Sequence, residues 1–163
     1  MYTKILLLII ATSSFLAAEK IPVGLTAKGF VIEADKIDSD SRHAKTVLLI
    51  GGLEDQSAND FIRKEVDAYA AIPASHRKFK LLAIPSANPE KNPLVFPPVG
   101  AAYREGSEAH YLWRWIGLHA PDVVLIVGKD SGDLGKAISA NAVAGIGSSR
   151  TCTKGNSEKS EED

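Results

Sequence analysis

Three oxygen-bearing side chains crowd one turn. The stretch VLLIGGLEDQSAND (residues 47–60) sets Glu54, Asp55 and Ser57 directly after an apolar run and a pair of glycines. Carboxylates at the carboxyl end of a buried strand can bind a hard cation through oxygen or move protons. The same residues also have a plainer reading, in which Gly51 and Gly52 permit a tight bend and the two acids favour the positive start of a helix. The residues of this turn leave both readings open.

Other reactive side chains are sparse. His43, His76, His110 and His119 include no pair at the helical spacing of a two-histidine metal site, so each reads as a surface or helix-end histidine. In GKDSG, Ser131 stands one place too late for the Gly-x-Ser-x-Gly elbow of an α/β-hydrolase, and no later histidine follows as base. No Gly-x-Gly-x-x-Gly or Gly-Lys-Ser/Thr phosphate loop is present. Arg104, in AAYREGS, has a guanidinium suited to clamping a substrate carboxylate through two parallel hydrogen bonds; pairing with Glu105 or Glu108 is its structural alternative. Tyr111, Trp113 and Trp115 read as packing rather than as a stacking platform. Cys152 is the only cysteine, which excludes an internal disulfide and a cysteine-based zinc site.

The elements that must position these groups follow from composition and pattern. With 163 residues, 45% hydrophobic and 24% charged, the chain has enough apolar material for one domain with a real core. A net charge of −1 and the lack of a basic, aromatic-interleaved stripe argue against nucleic acid as a partner. MYTKILLLIIATSSFLAAEK reads as an export signal: Lys4, the apolar stretch Ile5 to Leu16, then Leu16-Ala17-Ala18 as a cleavage site. A spanning helix needs about 20 apolar residues, and this stretch is shorter and interrupted by Thr12, Ser13 and Ser14. Residues 1–18 are therefore expected as a signal peptide, with no stable membrane span after its removal.

Val47–Ile50 and Val123–Val127 are continuous apolar runs, and Phe79–Ile84 is apolar except at Lys80, as in strands covered on both faces. Phe30 to Ile32 suggests an earlier strand, and Asp35 to Lys45 a polar loop. Ser57 is placed to cap a helix with Asp60 as reciprocal partner, and Phe61, Ile62, Val66 and Tyr69 form its apolar face. Ser107 opens a second helix with Tyr111, Leu112, Trp115 and Ile116 inward, and Lys136 to Val143 suggests a third. Between Pro85 and that second helix lies a long loop carrying Pro89, Pro93, Pro97 and Pro98, the kind of segment that carries function at the end of a parallel strand. From Ser148 the apolar pattern stops. The expectation is an α/β fold with a mostly parallel sheet and flanking helices over residues 19–147, followed by a disordered polar tail, 148–163.

The order VLLIGGLEDQS, LLAIPSANPEK, YREGSEAHYLWRWIGLHAPDVVLIVG resembles the first half of the zinc carboxypeptidase superfamily, the carboxypeptidase A-like and succinylglutamate desuccinylase-like enzymes. The resemblance covers about residues 44 to 130 and is best at Ile84 to Pro89 and Ala120 to Val127. It implies a partial zinc-carboxypeptidase-like (phosphorylase/hydrolase-like) fold. By this resemblance Glu54 and Ser57 stand where the family has its His-x-x-Glu zinc ligands, and Gly128 where it has a third ligand, a histidine. Asn88-Pro89-Glu90 matches a structural turn, and Arg104 the carboxylate-binding arginine, so Asn88 and Arg104 are the expected substrate-binding residues. The usual zinc ligands are thus replaced, leaving Glu54, Asp55 and Asp130 as the oxygen donors for zinc or another divalent cation.

Two functions follow from that resemblance. One is an exported carboxypeptidase-like hydrolase acting on the amide bond of a small peptide or N-acyl amino acid, with its activity in question for want of zinc ligands. The other is a non-catalytic peptide- or carboxylate-binding protein on the same scaffold. The loss of pattern after Gly147 also fits a shortened relative.

Overall fold

The computed structural model describes residues 18–54, 56–100, 107–141 and 151–154. Its elements run β1 (Glu19–Leu25), β2 (Val31–Ile37), β3 (Lys45–Ile50), α1 (Ser57–Ala70), a 3-10 turn at Ala74–His76, β4 (Phe79–Ile84), α2 (Ser107–His119), β5 (Val123–Val127), α3 (Leu134–Ala140) and β6 (Thr151–Lys154). The strands form one six-stranded sheet in the order β1-β2-β4-β3-β5-β6.

The three apolar runs lie side by side and parallel, with Leu48 opposite both Leu82 and Val124. Successive side chains of a strand point to opposite faces, and both faces are covered. Leu48, Ile50, Leu82, Ile84, Val124 and Ile126 pack with Leu112, Trp115 and Ile116 of α2 and Leu134 and Ile138 of α3. Leu81 and Ala83 pack on the other side with Ile62 and Val66 of α1. Burial on both sides explains why these strands read as apolar runs broken only at Lys80.

The sheet is mixed, which corrects the mostly parallel expectation. β1 pairs with β2, and β2 with β4, in antiparallel fashion. Residues 19–37 thus fold back on themselves as a hairpin, and β2 takes in Asp35 to Ile37 from the stretch read as loop. That extension was hidden because Asp35 is a buried carboxylate paired with Lys20 at 2.6 Å, its directly opposite residue on β1. Polar residues cancelled the apolar signal of the strand.

At the other edge, Thr151–Lys154 pairs parallel with β5 inside the segment expected to be a disordered tail. Four residues are too few to show a period of two. In α1, Gln56 rather than Ser57 takes the cap position, without a side-chain cap bond, and Ser57 is the first helical residue. Phe61 is 39% exposed, so the inner face of α1 is Ala58, Ile62 and Val66. The Ser107 cap assignment depends on residues outside those described.

Buried Arg77 fastens the end of α1. Its guanidinium donates to the carbonyls of Ala70 (2.9 Å), Ile72 (2.8 Å) and Asp38 (2.8 Å). Free carbonyls at a helix end carry partial negative charge, which suits a cation. No helix among the described residues is long and apolar enough to cross a membrane.

Candidate functional site

The carboxyl ends of β3, β4 and β5 adjoin, the place where open α/β sheets bind ligands. The β3 and β4 ends continue to pair beyond their strands. Gly51 N–H donates to Ile84 O (2.9 Å), Ala87 N–H to Gly51 O (2.9 Å), and Asn88 N–H to Gly52 O (3.0 Å). This close approach requires the glycines. A Cβ on Gly51 would stand 2.6 Å from Ile62 Cδ1, and one on Gly52 (φ +62°) 2.9 Å from Asn59 Oδ1 and 3.0 Å from Ser86 Cα.

Asn88 is 2% exposed. Its Nδ2 donates to Leu53 O and Asn92 O, both at 2.8 Å, and its Oδ1 accepts from Asn92 N–H at 3.1 Å. These bonds clamp the β3 turn to the start of the long loop. The structural-turn reading of Asn88-Pro89-Glu90 fits them. Glu90 extends the clamp to the β1–β2 hairpin. The Thr26 hydroxyl and then the Lys28 N–H (2.8 Å to Oε1) donate to its carboxylate and hold it below the usual range.

Glu54 Oε1 lies 2.6 Å from Lys129 Nζ, so the turn after β3 meets the turn after β5 through an ion pair. Gly128 (φ +90°) swings the chain out of β5 beside the first turn of α1, where an added Cβ would lie 3.8 Å from Ala58 Cβ. Asp130 follows, and both of its oxygens are taken. Oδ1 accepts from Leu134 N–H and Oδ2 from Gly135 N–H, each at 2.9 Å, which satisfies the start of α3. Asp130 thus anchors the start of α3.

Between these turns, Gln56 Oε1 accepts from Ser86 Oγ (2.8 Å) and from Asn59 Nδ2, while Gln56 Nε2 donates to Asn88 O (3.4 Å). Asn59 Oδ1 is buried with no hydrogen-bond partner among the described residues. Sequence reading missed Lys129 and Gln56. Lys129 had one available signal, its position directly after a glycine that ends a buried strand. Asp55 and Arg104 lie outside the described residues, so the structure does not place them relative to Glu54.

The histidines supply no ligand set. His43 and His76 are exposed. His119 stacks on Trp115 with ring centroids 3.8 Å apart, and its Nδ1 lies 2.9 Å from Trp115 O at the end of α2. His110 is half-buried, with Nε2 lacking a partner. Trp115 is buried, Trp113 packs against Phe96 at 6.3 Å, and the Tyr111 ring sits over Gly24, consistent with packing roles. A cavity of about 260 Å³ is lined by Ala18, Lys20 and Asp35 of the β1–β2 side and by Arg63, Val66 and Asp67 of α1.

No family model matches the sequence, and no curated protein matches it. Solved structures do match. A metallo-carboxypeptidase from Burkholderia cenocepacia superposes with a TM-score of 0.56 at 14% identity, over 73% of this chain and 38% of its own. A metallo-carboxypeptidase from Pseudomonas aeruginosa, solved in complex with (2-guanidinoethylmercapto)succinic acid, gives 0.55 at 16% identity, over 71% of this chain and 36% of its own. An aspartoacylase family protein from Mesorhizobium loti gives 0.50 at 16% identity, over 67% and 38%. The resemblance read from the sequence is borne out at the level of the fold. This chain spans under two-fifths of the length of these proteins.

The donors described do not fit the metal that such a fold implies. An open catalytic zinc site needs three protein ligands and a water. Glu54 holds Lys129, Asp130 holds α3, and Ser57 and Gly128 carry no imidazole or carboxylate. Among the described residues no three His, Cys, Asp or Glu side chains are grouped to hold an ion.

Proposed function

We propose that the chain is an exported, carboxypeptidase-like hydrolase domain that recognises a peptide or N-acyl amino acid by its free carboxylate and has exchanged metal-dependent amide hydrolysis for binding. The Glu54–Lys129 pair carries this reading. On a scaffold shared with metallo-carboxypeptidases, the carboxylate after β3 faces an ammonium at 2.6 Å instead of standing free for a dication. An ammonium attracts carboxylates but does not lower the pKa of a bound water as a metal does.

Arg104 is the residue proposed to clamp the ligand's carboxylate, through two parallel hydrogen bonds at the end of the long loop. The complex of the Pseudomonas enzyme with a succinic acid derivative supports a carboxylate-bearing ligand. Export rests on Lys4, the apolar Ile5–Leu16 stretch and Leu16-Ala17-Ala18.

Metal analysis of the purified chain, with calorimetric titration of N-acetyl amino acids and dipeptides, tests the reading. Binding that weakens in Arg104→Ala, without amide cleavage, is expected. Stoichiometric zinc together with cleavage would establish the alternative, an active metallohydrolase. For export, the mature chain is expected outside the cytoplasm and beginning at Glu19; a cytoplasmic chain retaining Met1 refutes it.

A further inference from the structure

We infer that Lys129 receives a carboxylate oxygen of the ligand and that Glu54 is a built-in placeholder which the ligand displaces. This rests on the carboxylate-binding reading above and adds to it a second cation and an internal competitor.

The position comes first. Glu54 and Lys129 follow the adjacent parallel strands β3 and β5, so their contact bridges the crevice at the strand ends. The energetics come second. The side chains of Glu54 and Lys129 are 43% and 72% exposed, and exposed ion pairs contribute little to stability. Exchange of one carboxylate for another at Lys129 is therefore close to balanced, and a ligand anchored elsewhere can drive it.

Other carboxylates of the fold offer the contrast. Asp122, Glu90 and Asp130 each accept a backbone N–H that fixes them. Among the described residues Glu54 has Lys129 as its one partner, and the Lys129 side chain has Glu54. Meanwhile hydrogen bonds hold the main chain next to Glu54 and after Lys129. Asn88 grips Leu53 on one side, and Asp130 grips the start of α3 on the other. Because Glu54 already holds the ammonium at this crevice, exchanging one carboxylate for another adds little ordering cost.

The test is titration of hippurate (N-benzoylglycine) into the full chain, Glu54→Gln and Lys129→Met, with thermal unfolding confirming that both variants fold. Glu54→Gln should tighten binding about two- to fivefold, the equivalent of one exposed ion pair. Lys129→Met should weaken binding by a comparable few-fold factor, since the ligand's carboxylate would then face Glu54 with no cation between them, and Lys129→Arg should retain it. A purely structural pair predicts no gain in Glu54→Gln. If the wild type binds and both variants bind equally well, this inference is overturned while the carboxylate-binding reading stands. If the wild type binds neither hippurate nor dipeptides, both fall.

Discussion

The side-chain amide of Asn88 donates to the carbonyl of Leu53 at 2.8 Å, joining residues 35 apart in sequence. That bond holds the turn after β3 against the loop after β4. It keeps Glu54, the next residue after Leu53, at the crevice beside Lys129.

Replacing Asn88 with alanine leaves the Leu53 carbonyl and the Asn92 backbone without their buried partner. An unsatisfied buried polar group costs about 1–3 kcal/mol, so Asn88→Ala should lose about 2–4 kcal/mol in urea unfolding. A loss below half a kcal/mol would show that the clamp is dispensable.

Two glycines should respond in opposite directions. At Gly52 an alanine meets both a positive φ and the Asn59 and Ser86 atoms, and the substitution should cost about 1–3 kcal/mol. Gly117 sits in α2 at an ordinary φ with open space around it. Gly117→Ala should stabilise by about 0.5–1 kcal/mol through helix propensity. Denaturant midpoints of the two variants read both effects.

Acid should unfold the chain partly through Glu90 and Asp122. The Thr26 hydroxyl and Lys28 N–H hold Glu90 below its ordinary 4.5, and the Thr46 N–H, helped by Lys45, holds Asp122 below 3.8. A carboxyl with a depressed pKa in the folded state binds its proton more readily when unfolded. Its stabilising contribution is complete above the unfolded value and fades as pH falls through the folded one. Melting temperatures measured from about pH 7 to about pH 3 should drop below these ordinary values. Glu90→Gln should drop less steeply; identical slopes would exclude Glu90 from the acid response.

Arg77→Ala removes three hydrogen bonds from a buried guanidinium to carbonyls of α1 and the β2 exit. Bonds involving a charged group each contribute about 1.5–3 kcal/mol, and the vacated carbonyls partly recover water. A loss of about 3 kcal/mol is expected by urea unfolding, with Arg77→Lys recovering only part because its single ammonium cannot reach three divergent acceptors. Full recovery by lysine would contradict the fork geometry.

The sequence by itself determined the α/β core. Val47–Ile50, Phe79–Ile84 and Val123–Val127 are apolar at every position but Lys80 because helices cover both faces, and that requirement is visible in the residues themselves. The Pro-x-x-Asn-Pro stretch likewise signalled the turn that Asn88 completes. Tertiary structure decided the rest. The β1–β2 hairpin was obscured by Lys20 and Asp35, whose polarity made sense only once they faced each other. Asp130 had the same chemistry as a metal donor until α3 folded onto its two oxygens. Glu54 and Lys129 are 75 residues apart. A carboxylate carries no local mark that tells whether a metal, a helix N–H or a distant ammonium will meet it, because only the fold brings that partner within reach.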